Sequence, residues 1–259
     1  MNPIRLRPTT KDSIGTTAFF RNRILFNTLF NELKACNYSE VTVLFHACSI
    51  GAEVYSFVIQ YYLGGYDRYF NLKVHATDHE KEFVNYAFKG EYPAKVVKAF
   101  KDEEIKYFDF KKSLFFIKNK VSIKNKVKRH VHFLDAKSFT EFETIKKYNV
   151  VFLLNAFVYV EGSMQSKTID KICKYNTDFF VTTAFHMDQI KDDLQRNSYL
   201  PVLTNQVEIH NGWKDRRIDS ISGELNPQVY ADWRLPVFSK VDSFEYRYCS
   251  IFSKRLPRL

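Results

Sequence analysis

The stretch FHACSIGAEVYS (residues 45–56) decides the fold. An apolar run, VTVLFHAC (41–48), ends in a cluster of small residues, Ala47-Cys48-Ser49-Ile50-Gly51. A helical pattern, AEVYSFVIQYYL (52–63), follows at once. A near-continuous apolar run of strand length suits a parallel strand covered on both faces. The small residues let the backbone turn tightly and approach a ligand closely. The turn has neither GxGxxG nor GKS, and Glu53 sits in the first turn of the helix. A carboxylate there repels phosphate, so the turn reads as a seat for something small and positively charged.

Working outward, residues 16–35 show the apolar spacing of an amphipathic helix. LKVHATD (72–78) reads as a second strand ending on Asp78, and HEKEFVNYAFKG (79–90) as a helix closed by Gly90. A short strand (130–136), a short helix over SFTEFETIKKY (138–148), a buried strand over 149–160, a helix over SMQSKTIDKICKY (163–175) and a strand over 178–186 complete a β-α-β-α-β-α-β-α-β order. That alternation predicts a doubly wound, mostly parallel α/β sheet. FEYRYCSIFSKR (244–255) is expected as a last, antiparallel edge strand. Ligands of such sheets sit at the carboxyl ends of the strands, here Ala47-Cys48, Asp78, Asp135, Asn155 and Thr183 to His186.

The chain has 259 residues, 45% of them hydrophobic, and a net charge of +10. This is a folded globular composition. No run reaches the roughly 20 apolar residues of a membrane span, and the N-terminus lacks the apolar core of a signal peptide, so a cytoplasmic protein is expected. The four cysteines (Cys36, Cys48, Cys173, Cys249) form no CxxC pair, and His75 and His79 straddle a strand end and a loop, so neither a disulfide framework nor a metal is expected. Residues 111–130 are rich in Lys and Arg and contain no acid. They read as a basic β-hairpin, either a solvated face or a docking surface for an acidic partner, protein ahead of nucleic acid.

A small-residue turn after the first strand and an acid closing the second form the layout that binds an adenosyl nucleoside, the acid taking the ribose hydroxyls. With no phosphate to bind, an acid at the turn welcomes a sulfonium or an amino group. S-adenosylmethionine combines these features. At this point the chain resembles the CheR family of S-adenosylmethionine-dependent methyltransferases, which esterify glutamates on chemotaxis receptors. TTAFFRNRILFNTL (16–29) resembles the family's T-x-F-F-R-x-x-x-x-F-x-x-L helix. ACSIGAEVYS (47–56) resembles its small-C-S-T-G-E-E-P-Y-S turn, and ATDHEKEFVNYAFKGEYP (76–93) its A-T-D-I-D segment with the following A-x-x-G-x-Y. NVVFLLNAFVYV (149–160) resembles its F-D-x-I-F-C-R-N-V-L-I-Y-F strand, and KYFDF (106–110) its Y-F segment.

The resemblance implies a class I, Rossmann-like methyltransferase domain over 1–259, with a basic hairpin inserted at 100–130 and a cap or insertion at 187–243. It implies a cofactor site of Thr17, Arg21, Ala47, Gly51, Glu53, Asp78, Asp135, Ala136, Leu153, Leu154 and Asn155, with Arg21 and Tyr159 beside the transferred methyl. Arg21 is expected to orient an acceptor carboxylate, because a guanidinium fork fits a carboxylate bidentately. Glu53 is expected to hold the cofactor's charged end, Asp78 the ribose, and Asp135-Ala136 the adenine side. The chain departs from the family pattern at Leu153-Leu154, where Cys-Arg is usual, at Ala52, where a second Glu is usual, and at Asn149, where an acid is usual. The family's N-terminal four-helix domain has no counterpart before the TTAFFR segment, and 187–240 aligns with nothing in it.

An already ionised carboxylate needs no general base, so positioning and desolvation carry the reaction. His186 is the one histidine considered as a base for a hydroxyl acceptor. The reading is therefore a carboxyl O-methyltransferase acting on a protein or small molecule, acidic in character. The alternatives are a non-catalytic module that binds S-adenosylmethionine or S-adenosylhomocysteine, and a methyltransferase for RNA or a metabolite.

Overall fold

A computed structural model describes residues 17–111, 120–157, 160–183, 187–213, 217–218, 225–226 and 244–254. In chain order the first elements are α1 (Arg23–Ala35), β1 (Glu40–His46), α2 (Ala52–Leu63), β2 (Asn71–Ala76), α3 (Lys81–Lys89) and β3 (Glu91–Pro93). Then come α4 (Asp102–Ile105), β4 (Phe108–Lys111), β5 (Lys120–Ile123), α5 (Asn125–Lys128), β6 (Val131–Phe133) and β7 (Tyr148–Leu153). The last are α6 (Gly162–Tyr175), β8 (Asn176–Thr182), α7 (Met187–Arg196), β9 (Leu200–Pro201), α8 (Gln206–Gly212), β10 (Arg217–Ile218), β11 (Leu225–Asn226), α9 (Phe244–Arg247) and β12 (Ile251–Ser253).

The main sheet runs β6-β2-β1-β7-β8-β12-β9. Pairs from β6 to β8 are parallel, and β12 joins β8 and β9 antiparallel. The order reverses between β1 and β7, which places a crevice at their carboxyl ends. β1 is buried along nearly its whole length, as its apolar run predicts. Across the β1–β7 register, Phe45 lies opposite Phe152, and their rings stack 4.1 Å apart. On one face α1 and α2 pack together, Phe30 stacking on Phe57 at 4.4 Å. On the other face, α6 and α7 cover a second core containing Ile169, Ile172, Ile190 and Leu194. The expected α/β architecture is thus present.

Three expectations need correction. The helix expected over 16–35 begins at Arg23, because Asn22 caps it, its side chain accepting from the Leu25 amide at 3.1 Å. No helix forms over 138–148. Short side chains there bond the backbone locally, Thr140 N donating to Ser138 Oγ at 3.3 Å and Lys146 N to Thr144 Oγ1 at 3.0 Å. The strand expected over 244–255 is a helical turn followed by β12, which lies inside the sheet, with β9 at the edge. The basic segment pairs β4 with β5 antiparallel and adds β3 as a third strand; its end is the helical turn α5, and residues 112–119 lie outside the described residues. Among the described residues no helix is long and apolar enough to cross a membrane.

Candidate functional site

The turn after β1 uses three left-handed residues, Ala47 (φ 51°), Ser49 (φ 49°) and Gly51 (φ 81°). For Ala and Ser this conformation costs about 1 kcal/mol each. Hydrogen bonds to the neighbouring segments hold it. Cys48 N donates to Thr77 O at 3.0 Å, Ser49 N to Asp78 Oδ2 at 2.8 Å, and the Tyr92 hydroxyl to Ile50 O at 2.6 Å. At Gly51 a Cβ would lie 2.9 Å from the Cβ of Ala87, so α3 closes that side as well.

Asp78 is buried beside this turn. Its Oδ1 accepts from Glu80 N at 3.1 Å and faces His79 Nδ1 at 3.0 Å. That hydrogen bond, followed by the charges of Asp78 and Glu80, outweighs partial burial and raises the His79 pKa. Asp135 and Ala136 are brought alongside: Thr77 Oγ1 donates to Asp135 O at 2.9 Å, and Lys137 N to Asp78 O at 2.8 Å. The carboxylate of Asp135 is exposed.

The second half of the site surrounds Arg21. Phe19 and Phe20 anchor the preceding chain. Phe19 packs edge-on against Tyr92, Phe100 and Phe108, and Phe20 N donates to Ser56 Oγ on α2 at 2.8 Å. Arg21 is thereby held inside, its side chain 2% exposed. Nη1 reaches Glu53 Oε1 at 3.5 Å, and Thr17 Oγ1 reaches Glu53 Oε2 at 3.4 Å. Asn155, left-handed at the end of β7, turns its amide oxygen to the guanidinium, 2.6 Å from Nη1 and 2.9 Å from Nη2. Its nitrogen then donates to Thr183 Oγ1 at 3.3 Å, while its backbone N–H donates to the same hydroxyl at 3.0 Å. Leu153 and Leu154 are buried in the cores on either face. Tyr159 and His186 lie outside the described residues.

The structure thus gathers Ala47, Gly51, Asp78, Asp135 and Ala136 at one end of the crevice and Thr17, Arg21, Glu53 and Asn155 at the other. The Cys48 thiol between them registers both acids: burial raises its pKa first, the charge of Asp78 next, and that of Glu53 further. Ser49 Oγ is buried with no hydrogen-bond partner among the described residues. An acidic turn with an unused hydroxyl fits a cationic, hydroxyl-bearing nucleoside. It does not fit a phosphate.

Two features were not legible in the sequence. Trp213, in the segment that aligned with nothing, lies with its ring centroid 5.6 Å from Arg21 Cζ. A cavity of about 490 Å³ lies beyond the crevice, between Asn22, Arg23 and Asn27 of the α1 end, Gln60 and Leu63 of α2, and Glu103 of α4. Arg21 lines it, but Gly51, Asp78 and Asp135 do not, so it is separate from the turn after β1.

A family profile described as CheR methyltransferase, SAM binding domain, matches residues 15–181. No curated protein matches the chain. Among solved structures, magnesium protoporphyrin IX methyltransferase (ChlM) from Synechocystis PCC 6803 with bound SAM is 12% identical, with a TM-score of 0.42 over 78% of this chain and 75% of that one. The N-methyltransferase NodS from Bradyrhizobium japonicum WM9, in complex with S-adenosyl-L-homocysteine, is 11% identical, with a TM-score of 0.41 over 71% and 78%. The glycopeptide N-methyltransferase MtfA, complexed with sinefungin, is 10% identical, with a TM-score of 0.38 over 65% and 51%.

Proposed function

We propose that this chain, which belongs to the CheR methyltransferase family, transfers the methyl group of S-adenosylmethionine to a carboxylate oxygen on a protein or small molecule. S-adenosylmethionine is the family's cofactor, and it supplies a methyl carbon whose bond to sulfur breaks as a bond to the acceptor oxygen forms, leaving a neutral thioether and a neutral ester with no proton to move. The chain's task is then to hold, orient and desolvate.

One observation carries the reading: the loose pairing of Arg21 with Glu53. A well-made guanidinium–carboxylate pair closes to about 2.7–2.9 Å, whereas this one stands at 3.5 Å. That looseness supports reading Glu53 as the group that takes the cationic end of the cofactor. Arg21, braced by the neutral Asn155, is read as the group that faces an anionic acceptor. Among the described residues, those that contact the pair, Thr17, Asn155 and Trp213, include no base at neutral pH. A carboxylate acceptor requires none. Asp78 and the Ser49 hydroxyl are assigned to the ribose, and Asp135-Ala136 to the adenine side. The turn residues Ala47 and Gly51 are assigned to the walls, and Leu153 and Leu154, whose side chains lie in the two cores, would contribute through their backbone. Tyr159 keeps the methyl-side role that the resemblance implies. The chain is read as one methyltransferase domain over 1–259, with insertions at 100–130 and 187–243.

A second reading, a binding module without chemistry, is favoured by the depth of Arg21, whose guanidinium already faces Glu53 and Asn155. The two are separated by incubating the protein with methyl-labelled S-adenosylmethionine and a cell lysate. Carboxyl transfer predicts an acceptor whose label is released by mild alkali, as an ester requires, and is lost with Arg21→Ala. Calorimetric binding of S-adenosylmethionine with no labelled acceptor would support the module. Alkali-stable label would overturn the carboxylate assignment.

A further inference from the structure

We propose that Thr183, which lies just beyond the 15–181 match, is a positioning residue: its hydroxyl clamps the Asn155 amide, and the clamped amide braces Arg21. The consequence for methyl transfer rests on the reading of Arg21 given above. β7 and β8 run parallel, and their register ends at Leu153 opposite Thr182. Beyond that pair the chain leaves β7 through Asn155, whose backbone is left-handed (φ 55°). Two threonines take over where the ladder stops. Thr182 Oγ1 donates to Leu153 O at 2.9 Å, and Thr183 Oγ1 accepts from Asn155 N at 3.0 Å. Both threonines are buried, so water does not compete for their hydroxyls.

An amide side chain has two ends of nearly equal size, one an acceptor and the other a donor. A guanidinium has donors only, so it selects the oxygen. The Asn155 oxygen accepts from Arg21 Nη1 at 2.6 Å and from Nη2 at 2.9 Å. The amide nitrogen must then find an acceptor on its other side, and the Thr183 hydroxyl supplies it at 3.3 Å. One hydroxyl thus takes two N–H groups of the same residue, one from the backbone and one from the side chain. A hydroxyl has two lone pairs, and these two bonds use both. The first bond fixes where Asn155 sits, and the second fixes how its amide is turned. A valine in place of Thr183 keeps the β-branched shape. It leaves two donors facing a methyl group, and the amide is free to rotate away from Arg21. That holds whatever further contacts the guanidinium makes, because the bond to the amide depends on the amide's own orientation.

The test compares Thr183→Val, which removes the hydroxyl, with Thr183→Ser, which keeps it, both in the full chain. Labelled methyl transfer to the lysate acceptor is expected to fall about tenfold with Val and to return to within about twofold of wild type with Ser. Calorimetric affinity for S-adenosylmethionine is expected to change by about twofold or less in both. In an Asn155→Ala background, where no amide remains to be turned, Thr183→Val is expected to lower transfer no further. Equal losses in both backgrounds, or a loss of affinity as large as the loss of transfer, would reduce Thr183 to a support of the fold and overturn the inference. A second readout needs no acceptor. By NMR on the isotope-labelled chain, the Asn155 side-chain NH2 is expected to exchange with solvent about tenfold faster in Thr183→Val than in wild type or Thr183→Ser. Unchanged exchange would also overturn the inference. Faster exchange in a protein whose wild type labels no acceptor would instead overturn the reading of Arg21 and leave the clamp standing.

Discussion

Arg21 and Arg23 stand two residues apart in one turn and each meets a glutamate, yet the two pairs are built for different ends. Arg23 closes on Glu104 through two contacts, Nε to Oε1 at 2.5 Å and Nη2 to Oε2 at 2.6 Å. Glu104 is buried and accepts further from Gln60 Nε2 at 3.3 Å and from Lys101 N at 2.8 Å, where it caps α4. Its bonding capacity is taken up inside the protein. Arg21 and Glu53 stand at 3.5 Å, with Glu53 still 12% exposed and held otherwise by Thr17 at 3.4 Å. A closed pair holds elements together. The open pair is the one assigned above to the cofactor and the acceptor.

That contrast can be broken experimentally. The largest effect is expected from Arg23→Met, which leaves the buried Glu104 carboxylate without its cation and costs about 3–5 kcal/mol of stability, read by denaturant unfolding. Arg21→Met is expected to cost only about 1 kcal/mol of stability while lowering methyl transfer about a hundredfold. Equal destabilisation by the two substitutions would erase the distinction. Glu53→Gln removes the anion but keeps the shape, so S-adenosylmethionine affinity should fall about tenfold with little change in unfolding midpoint. An unchanged affinity would move the cofactor's cationic end elsewhere.

The smallest effect concerns His79 and Asp78, a third pair on the same crevice. The histidine pKa is raised by its bond to Asp78, so its stabilising contribution is complete below about 6.5 and is lost as pH rises through the raised value. Ribose hydroxyls would compete for the same carboxylate. Cofactor affinity should therefore rise, by about threefold or less for so exposed a histidine, as His79 loses its proton. His79→Gln should flatten that profile, and NMR titration should show the His79 pKa falling when S-adenosylmethionine binds.

The Asp78 end of the crevice was largely legible in the sequence, because its parts are local: an apolar strand, a small-residue turn and an acid closing the next strand. Gly90 was equally readable as a helix stop and adopts φ 59°. The Arg21 end was legible only as a motif. Its start was misread because Asn22 interrupts an apolar periodicity that otherwise runs unbroken from Phe19, and a cap leaves no mark on that pattern. The segment 138–148 looked helical by spacing, but its Ser and Thr side chains satisfy the backbone locally. Trp213 could not have been found from sequence. Its contact with Arg21 spans the whole sheet in sequence and depends on the docking of α8, which no local pattern encodes.

The two ends of the main sheet have a consequence for how copies of this chain meet. One border is β6, three residues long, and the other is β9, only two, with Pro201 opposite Phe252. Proline offers no amide hydrogen, and so short a border gives an incoming strand almost nothing to zip onto. The described sheet is therefore a poor template for fibril-like growth along either flank, so crowding should not recruit further chains by that route.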